Sequence, residues 1–120
     1  MDVEARVWIG TKGRFNPLQR FEEWTLSLYR DTLTFRDRNG ITMSAALSEV
    51  ELSFPLSMSG AGFVLVARGA KAYVWFYDPF SSRNVLLESG DKDGATIEGA
   101  KSWLQGRRAA KPWLKALRAD

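Results

Sequence analysis

Phe63-Val64-Leu65-Val66-Ala67-Arg68, a Gly69-Ala70 turn, then Lys71-Ala72-Tyr73-Val74-Trp75-Phe76-Tyr77 reads as a β-hairpin whose two strands are apolar on both faces. Side chains alternate across a strand, so Ala72, Val74 and Phe76 share one face while Tyr73, Trp75 and Tyr77 share the other. One face belongs to the core of a β domain. The second requires a cover of its own. If the smaller side chains line the core, Tyr73, Trp75 and Tyr77 lie outside, where large exposed rings mark a partner surface or an oligomer interface. Alternatively, the C-terminal helical segment or the loop from Phe80 to Leu87 covers them. The residues leave both arrangements open.

The same alternation recurs upstream. Val3, Ala5, Val7 and Ile9 share one face opposite Glu4, Arg6 and Trp8, and Trp24, Leu26 and Leu28 point inward opposite Glu23, Thr25 and Ser27. Gly10 to Pro17 is a loop between them by its glycines, asparagine and proline. Arg30-Asp31 turns the chain into a strand with Leu33 and Phe35 inward. Asn39-Gly40 is the strongest hairpin signal, a two-residue type I′ turn with positive φ at both positions. Ile41, Met43 and Ala45 continue the inward face, as do Val50, Leu52 and Phe54, before a loop from Pro55 to Gly62. Downstream, a long connection carries a short extended piece at Val85 to Leu87. Ile97, Ala100, Trp103 and Leu104 then recur at helical spacing, with Asp93 or Thr96 as caps. Gly106 and Pro112 predict a kink or break between them, the second piece gathering Ala110, Trp113, Leu114 and Leu117.

The chain of 120 residues is expected to be one domain, residues 1–120, with strands in 1–77, the long connection in 78–94 and a helical cap with a basic tail in 95–118. Its apolar runs are far shorter than the ~20 residues of a spanning helix. Met1-Asp2-Val3-Glu4 does not have the pattern of a secretory signal, so a cytoplasmic protein is expected. Histidine and cysteine are both absent, which excludes a serine-histidine-aspartate triad, a cysteine nucleophile and a nitrogen or sulfur site for zinc. Asp91-Lys92-Asp93-Gly94 begins like a calcium loop but fails at Ala95 and Thr96. Gly60-Ala61-Gly62 has neither the lysine nor the helix of a phosphate loop. A non-catalytic protein without metal or cofactor is expected.

Seven short strands joined by hairpin turns and followed by a helix resemble the pleckstrin-homology superfold. Phe21-Glu22-Glu23-Trp24-Thr25-Leu26 through Leu33-Thr34-Phe35 is similar to its second and third strands. Gly40-Ile41-Thr42-Met43 with Leu47-Ser48-Glu49-Val50 is similar to its fourth strand and the step to its fifth. Gly62-Phe63-Val64-Leu65 and Lys71-Ala72-Tyr73-Val74-Trp75 look like its sixth and seventh strands, and Trp103 stands at the tryptophan of its closing helix. The resemblance implies a mainly β fold, a seven-stranded antiparallel barrel or sandwich capped by the C-terminal helix. It also implies a module that binds a protein partner, a second copy of itself, or an anionic-lipid or phosphate ligand. Lys12, Arg14 and Arg20, in and beside the loop joining the first two strands, stand where such a phosphoinositide would be held. The residues themselves are equally satisfied as solvated loop charges.

Charge is unevenly spread. Residues 101 to 120 hold six basic side chains and one acidic, whereas the first hundred hold eleven basic and thirteen acidic, so the positive excess sits at the C-terminus. Arg107, Arg108, Lys111 and Lys115 with Trp113 form a basic amphipathic tail suited to an anionic membrane or an acidic partner. Alternatively its apolar face packs on the barrel with the cations in water. Nucleic acid is disfavoured, because neither an aromatic-basic strand motif nor a zinc spacing occurs.

Overall fold

The alternating segments become strands, and the computed structural model describes them over residues 3–11, 21–80 and 88–118. They are β1 (Val3–Gly10), β2 (Glu22–Tyr29), β3 (Thr32–Arg36), β4 (Thr42–Ala46), β5 (Glu51–Ser53), β6 (Gly62–Ala67) and β7 (Ala70–Trp75). All pair antiparallel in one seven-stranded sheet of order β4-β3-β2-β1-β7-β6-β5. The strands at its two ends, β4 and β5, are consecutive in the chain. A 3₁₀ turn at Leu47–Glu49 joins them, and the Leu47 N–H donates to the Asp31 carbonyl at 2.7 Å. So short a link between opposite ends requires the sheet to curl on itself.

The inner face follows the register. Ala5 pairs with Leu26, Leu26 with Phe35 and Phe35 with Met43, so one row of side chains crosses four strands. Exposure rises along it from 0% at Leu26 through 8% at Phe35 to 55% at Met43, as the row runs out to the edge of the sheet.

The turn chemistry differs from the expectation at Asn39-Gly40. Asn39 does not adopt positive φ; Gly40 alone does, at +82°. The Asp37 carboxylate accepts the N–H groups of Asn39 and Ile41, both at 2.9 Å, and organises a longer loop closed by Asp37 N–H to Ile41 O at 3.0 Å. The positive-φ pair required by a type I′ turn lies instead at Arg68 (+52°) and Gly69 (+79°), between the paired residues Ala67 and Ala70.

A long α-helix, α1 (Lys92–Arg118), follows. Its cap is Asp91 rather than Asp93 or Thr96, since the Asp91 Oδ1 accepts the Gly94 N–H at 3.0 Å. The helix runs through Gly106 and Pro112 without the break that was one of the two expected outcomes. A proline inside a helix costs about 3 kcal/mol. Trp113, Leu114 and Leu117 are all buried beside it, and each such side chain contributes roughly 1.5–3 kcal/mol. Packing of the turns that follow Pro112 therefore outweighs the lost backbone bond.

Two apolar clusters lie on the two sides of the β6–β7 hairpin. The inner one joins Val7, Leu26, Leu33, Phe63, Val74 and Phe76 to Ala110, Trp113, Leu114 and Leu117 of α1, with the Phe76 and Trp113 rings 6.1 Å apart. The outer one buries Val64, Trp75 and Tyr77 with Met58 and Ala61, flanked by Trp8, Phe21, Tyr73 and Trp103. The second face thus obtains its cover from the Pro55–Gly62 loop and the middle of α1. The helix approaches so closely that a Cβ on Gly106 would lie 2.7 Å from Tyr77 Cδ1 and 2.8 Å from its Cβ. Gly106→Ala is expected to lower the urea midpoint of unfolding, even though alanine is the better helix former by about 1 kcal/mol. A raised midpoint would show that the helix is not seated on Tyr77.

Candidate functional site

Six residues of α1 are buried: Ala95, Gly106, Ala110, Trp113, Leu114 and Leu117. At 3.6 residues per turn, the last five form one stripe. The same rotation places Arg107, Arg108, Lys111, Lys115 and Arg118 together on one flank of that stripe, and all five are exposed. Leu104 lies on the same flank at 45% exposure. The opposite flank is neutral or acidic, with Glu98, Ser102, Gln105, Ala109 and Pro112.

The basic flank borders an open groove of about 490 Å³, lined by the five cations with Gly60, Leu104 and Leu114. A second hollow of about 390 Å³ adjoins it, where Arg107 and Arg118 face Pro55, Leu56 and Ser59 of the loop before β6. Aromatic rings seat two of the guanidinium groups: Arg107 lies 5.5 Å from the Trp103 ring centroid and Arg118 lies 4.4 Å from that of Phe54. Among the described residues the ion pairs are those of Glu23 with Arg6 at 2.8 Å and with Arg38 at 3.1 Å. None of the five helix cations takes part. Five like charges on one flank repel one another, and an incoming anion relieves that repulsion.

A larger cleft of about 690 Å³ opens on the other flank, between α1 and β1. Its walls carry both signs of charge, with Glu4, Asp78 and Glu98 beside Arg6, and the Glu98 carboxylate accepts the Ser102 hydroxyl at 2.9 Å. Among the described residues no three Asp or Glu side chains converge to hold a metal ion.

The residues singled out in the sequence fare differently. Lys12, Arg14 and Arg20 lie outside the described residues, as does the extended piece at Val85 to Leu87. Tyr73, Trp75 and Tyr77 do not form an exposed face: Trp75 is 2% and Tyr77 4% accessible, while Tyr73 is half-buried beneath the Lys71 ammonium, 5.3 Å from its ring. The outer cluster closes over them because the hairpin's second face is dry. Trp113 likewise leaves the tail's binding set, since at 2% exposure it belongs to the inner core. Arg107, Arg108, Lys111 and Lys115 remain in water where the sequence placed them. Arg118 joins them, legible from its spacing. Leu56 had no signal at all. It follows a proline in a loop without alternation, yet it is 96% exposed.

No family model and no curated protein sequence matches the chain. Among solved structures it is similar to the tandem PX-PH domains of Bem3 from Saccharomyces cerevisiae, with 16% identity and a TM-score of 0.48 over 72% of this chain and 39% of that one. The chain therefore spans less than half of that Bem3 structure. It is also similar to the pleckstrin homology domain of ArhGAP27, with 16% identity and a TM-score of 0.44 over 89% of this chain and 99% of that one. A third likeness is to the PH domain of human Oxysterol binding protein-related protein 11, with 12% identity and a TM-score of 0.42 over 86% of this chain and 83% of that one. Seven antiparallel strands in one curled sheet, closed by a C-terminal helix, are the plan expected from the residues. No helix among the described residues is long and apolar enough to cross a membrane.

The division of α1 into a core stripe and a solvated flank has a direct check. Trp113→Ala is expected to destabilise the fold by about 3–5 kcal/mol, and Lys111→Ala to stay within roughly 0.5 kcal/mol of the parent in urea unfolding. Equal losses at the two positions would contradict the division.

Proposed function

We propose that the chain is a non-catalytic interaction module that docks the basic flank of α1 on an extended anionic partner. The observation that carries this is the set of five exposed cations, Arg107, Arg108, Lys111, Lys115 and Arg118, on one flank without a carboxylate partner among the described residues. Docking through the aromatic strand face is not favoured, since Trp75 and Tyr77 are buried. Neither histidine nor cysteine is present to support the commoner routes of general acid-base or nucleophilic catalysis. Lys12, Arg14 and Arg20 would extend the anionic contact if their loop faced the same partner.

From Arg107 to Arg118 the cations spread over roughly 16 Å of helix, at 1.5 Å per residue. They suit a distributed charge better than one compact phosphate. Each basic residue near an anionic surface contributes about 1 kcal/mol, so the flank supplies on the order of 5 kcal/mol before any other contact. Screening makes that sum strongly dependent on salt.

A short heparin oligosaccharide serves as a soluble polyanionic probe in isothermal titration at low salt. The parent protein is expected to bind it, and the triple variant Arg108→Glu, Lys111→Glu, Lys115→Glu to bind at least ~100-fold more weakly with an unchanged circular dichroism spectrum. Equal affinity in the two proteins would remove the helix flank from the function. The pair Lys12→Glu, Arg14→Glu measures the loop's share separately.

A further inference from the structure

The two end strands of the sheet are unequal. β5 is three residues long, carries Glu51 and runs into Pro55, so its outer edge is short, charged and soon interrupted. β4 has none of these protections. From Gly40 to Ser48 the chain holds neither a charge nor a proline, and Thr42, Met43 and Ser44 are all exposed. Ile41 and Met43 are 59% and 55% accessible, so this edge is apolar as well as open. Among the described residues no strand pairs with β4 on the side away from β3.

The register with β3 identifies the backbone groups left over. The Asp37 N–H donates to the Ile41 carbonyl at 3.0 Å, and the Leu47 N–H to that of Asp31 at 2.7 Å; between them Phe35 pairs with Met43 and Leu33 with Ala45. Bonded and non-bonded pairs alternate along an antiparallel ladder. Met43 and Ala45 therefore bond to β3, while Thr42, Ser44 and Ala46 turn their N–H and C=O groups toward the open edge. The side chains agree, since Thr34 and Ser44, a non-bonded and hence close pair, bring their hydroxyl oxygens to 3.1 Å. Outward groups at every second residue are a template for one more strand.

We infer that this strand is β4 of a second copy of the chain, paired antiparallel about a two-fold axis at Ser44. Such an axis sets Ser44 against Ser44 and Thr42 against Ala46, so all the outward groups find partners. On the other face it sets Met43 against Ala45 and Ile41 against Leu47, large beside small and apolar beside apolar. The row Leu26, Phe35, Met43 then continues into Ala45 and Leu33 of the second copy, which covers the exposed end of the core row. A one-residue slip sets Ser44 against Ala45, whose backbone groups are already bonded to β3, and forms no ladder.

Charge selects a like chain as the occupant. The hairpin end of β4 carries Arg36 and Arg38 beside Asp37, a net positive group. The far end carries Asp31, Glu49 and Glu51 beside Arg30, a net negative one. An antiparallel copy brings each end to its opposite, with an uncharged seam between them.

Sedimentation velocity over a concentration series tests this, with Ser44→Lys as the disrupting variant. Ser44 is exposed, so the circular dichroism spectrum of Ser44→Lys is expected to match the parent. The parent is expected to show a monomer–dimer equilibrium, and Ser44→Lys, which sets like charges face to face, to raise its dissociation constant at least ~10-fold. Because the chain has no cysteine, Ser44→Cys and Glu51→Cys each introduce a single thiol. The two Cα atoms of residue 44 would lie about 5.5 Å apart across the axis, within disulfide range, so Ser44→Cys is expected to cross-link under mild oxidation and Glu51→Cys to stay monomeric on a non-reducing gel.

A parent that remains monomeric up to about 1 mM overturns the inference and leaves the edge to a strand of another protein. Equal dimerisation by the parent and a folded Ser44→Lys also overturns it, as does cross-linking through residue 51 in place of residue 44, because the interface then lies elsewhere. Should Ser44→Lys fail to fold, the parent's mass and the two cysteine variants decide the matter.

Discussion

The β6–β7 hairpin is dry on both faces, and a hairpin of that kind has to be covered twice within one small protein. Val74 and Phe76 face the interior of the curled sheet, while Trp75 and Tyr77 face outward. Curling the sheet satisfies the first requirement. The second is met by α1 and by the turn that buries Met58. Gly106 allows the helix to reach the Tyr77 ring where any side chain would collide with it. The rest of the architecture depends on that contact. It explains why the helix stays continuous through Pro112, because Trp113, Leu114 and Leu117 are committed to the inner cluster beyond it.

Seating the helix also sets its rotation, and the rotation distributes the charges. Once Gly106, Ala110 and Trp113 face the protein, a helix of 3.6 residues per turn has no freedom to hide Arg107, Lys111 or Lys115. The basic flank is a consequence of core packing, and so is its neighbour. Met58 helps to cover the outer cluster, and in doing so it holds Leu56 out in water beside Arg107 and Arg118. The surface that bears on function and the core that bears on stability are therefore built from the same two elements.

Much of this was legible in the residues. Period-two alternation located the strands, including the inward positions Leu26, Leu33 and Phe35. The demand of the β6–β7 hairpin for a second cover was also visible. The cover's identity was not, because it comes from segments up to forty residues away in the chain. The turns show the limit of local rules. Asn39-Gly40 has the strongest type I′ composition, yet the Asp37 carboxylate captures two nearby N–H groups and draws the loop into another form. Arg68-Gly69 takes the positive-φ pair because two closely packed strands leave only two residues to join them. The helix start shows the same competition, with Asp91 reaching the Gly94 N–H before either alternative cap.

By itself the sequence determined which segments are strand or helix, that histidine and cysteine chemistry is absent, and that positive charge collects in the last twenty residues. These follow from local spacing and composition, which any stretch of chain carries with it. Tertiary structure alone decided that Trp75, Tyr77 and Trp113 are core, that the flank carrying Arg107, Arg108, Lys111, Lys115 and Arg118 stays exposed, and that Leu56 protrudes beside it. Burial is a relation between segments distant in the chain. A side chain's own periodicity states which way it points, and only the element packed opposite settles whether water remains there.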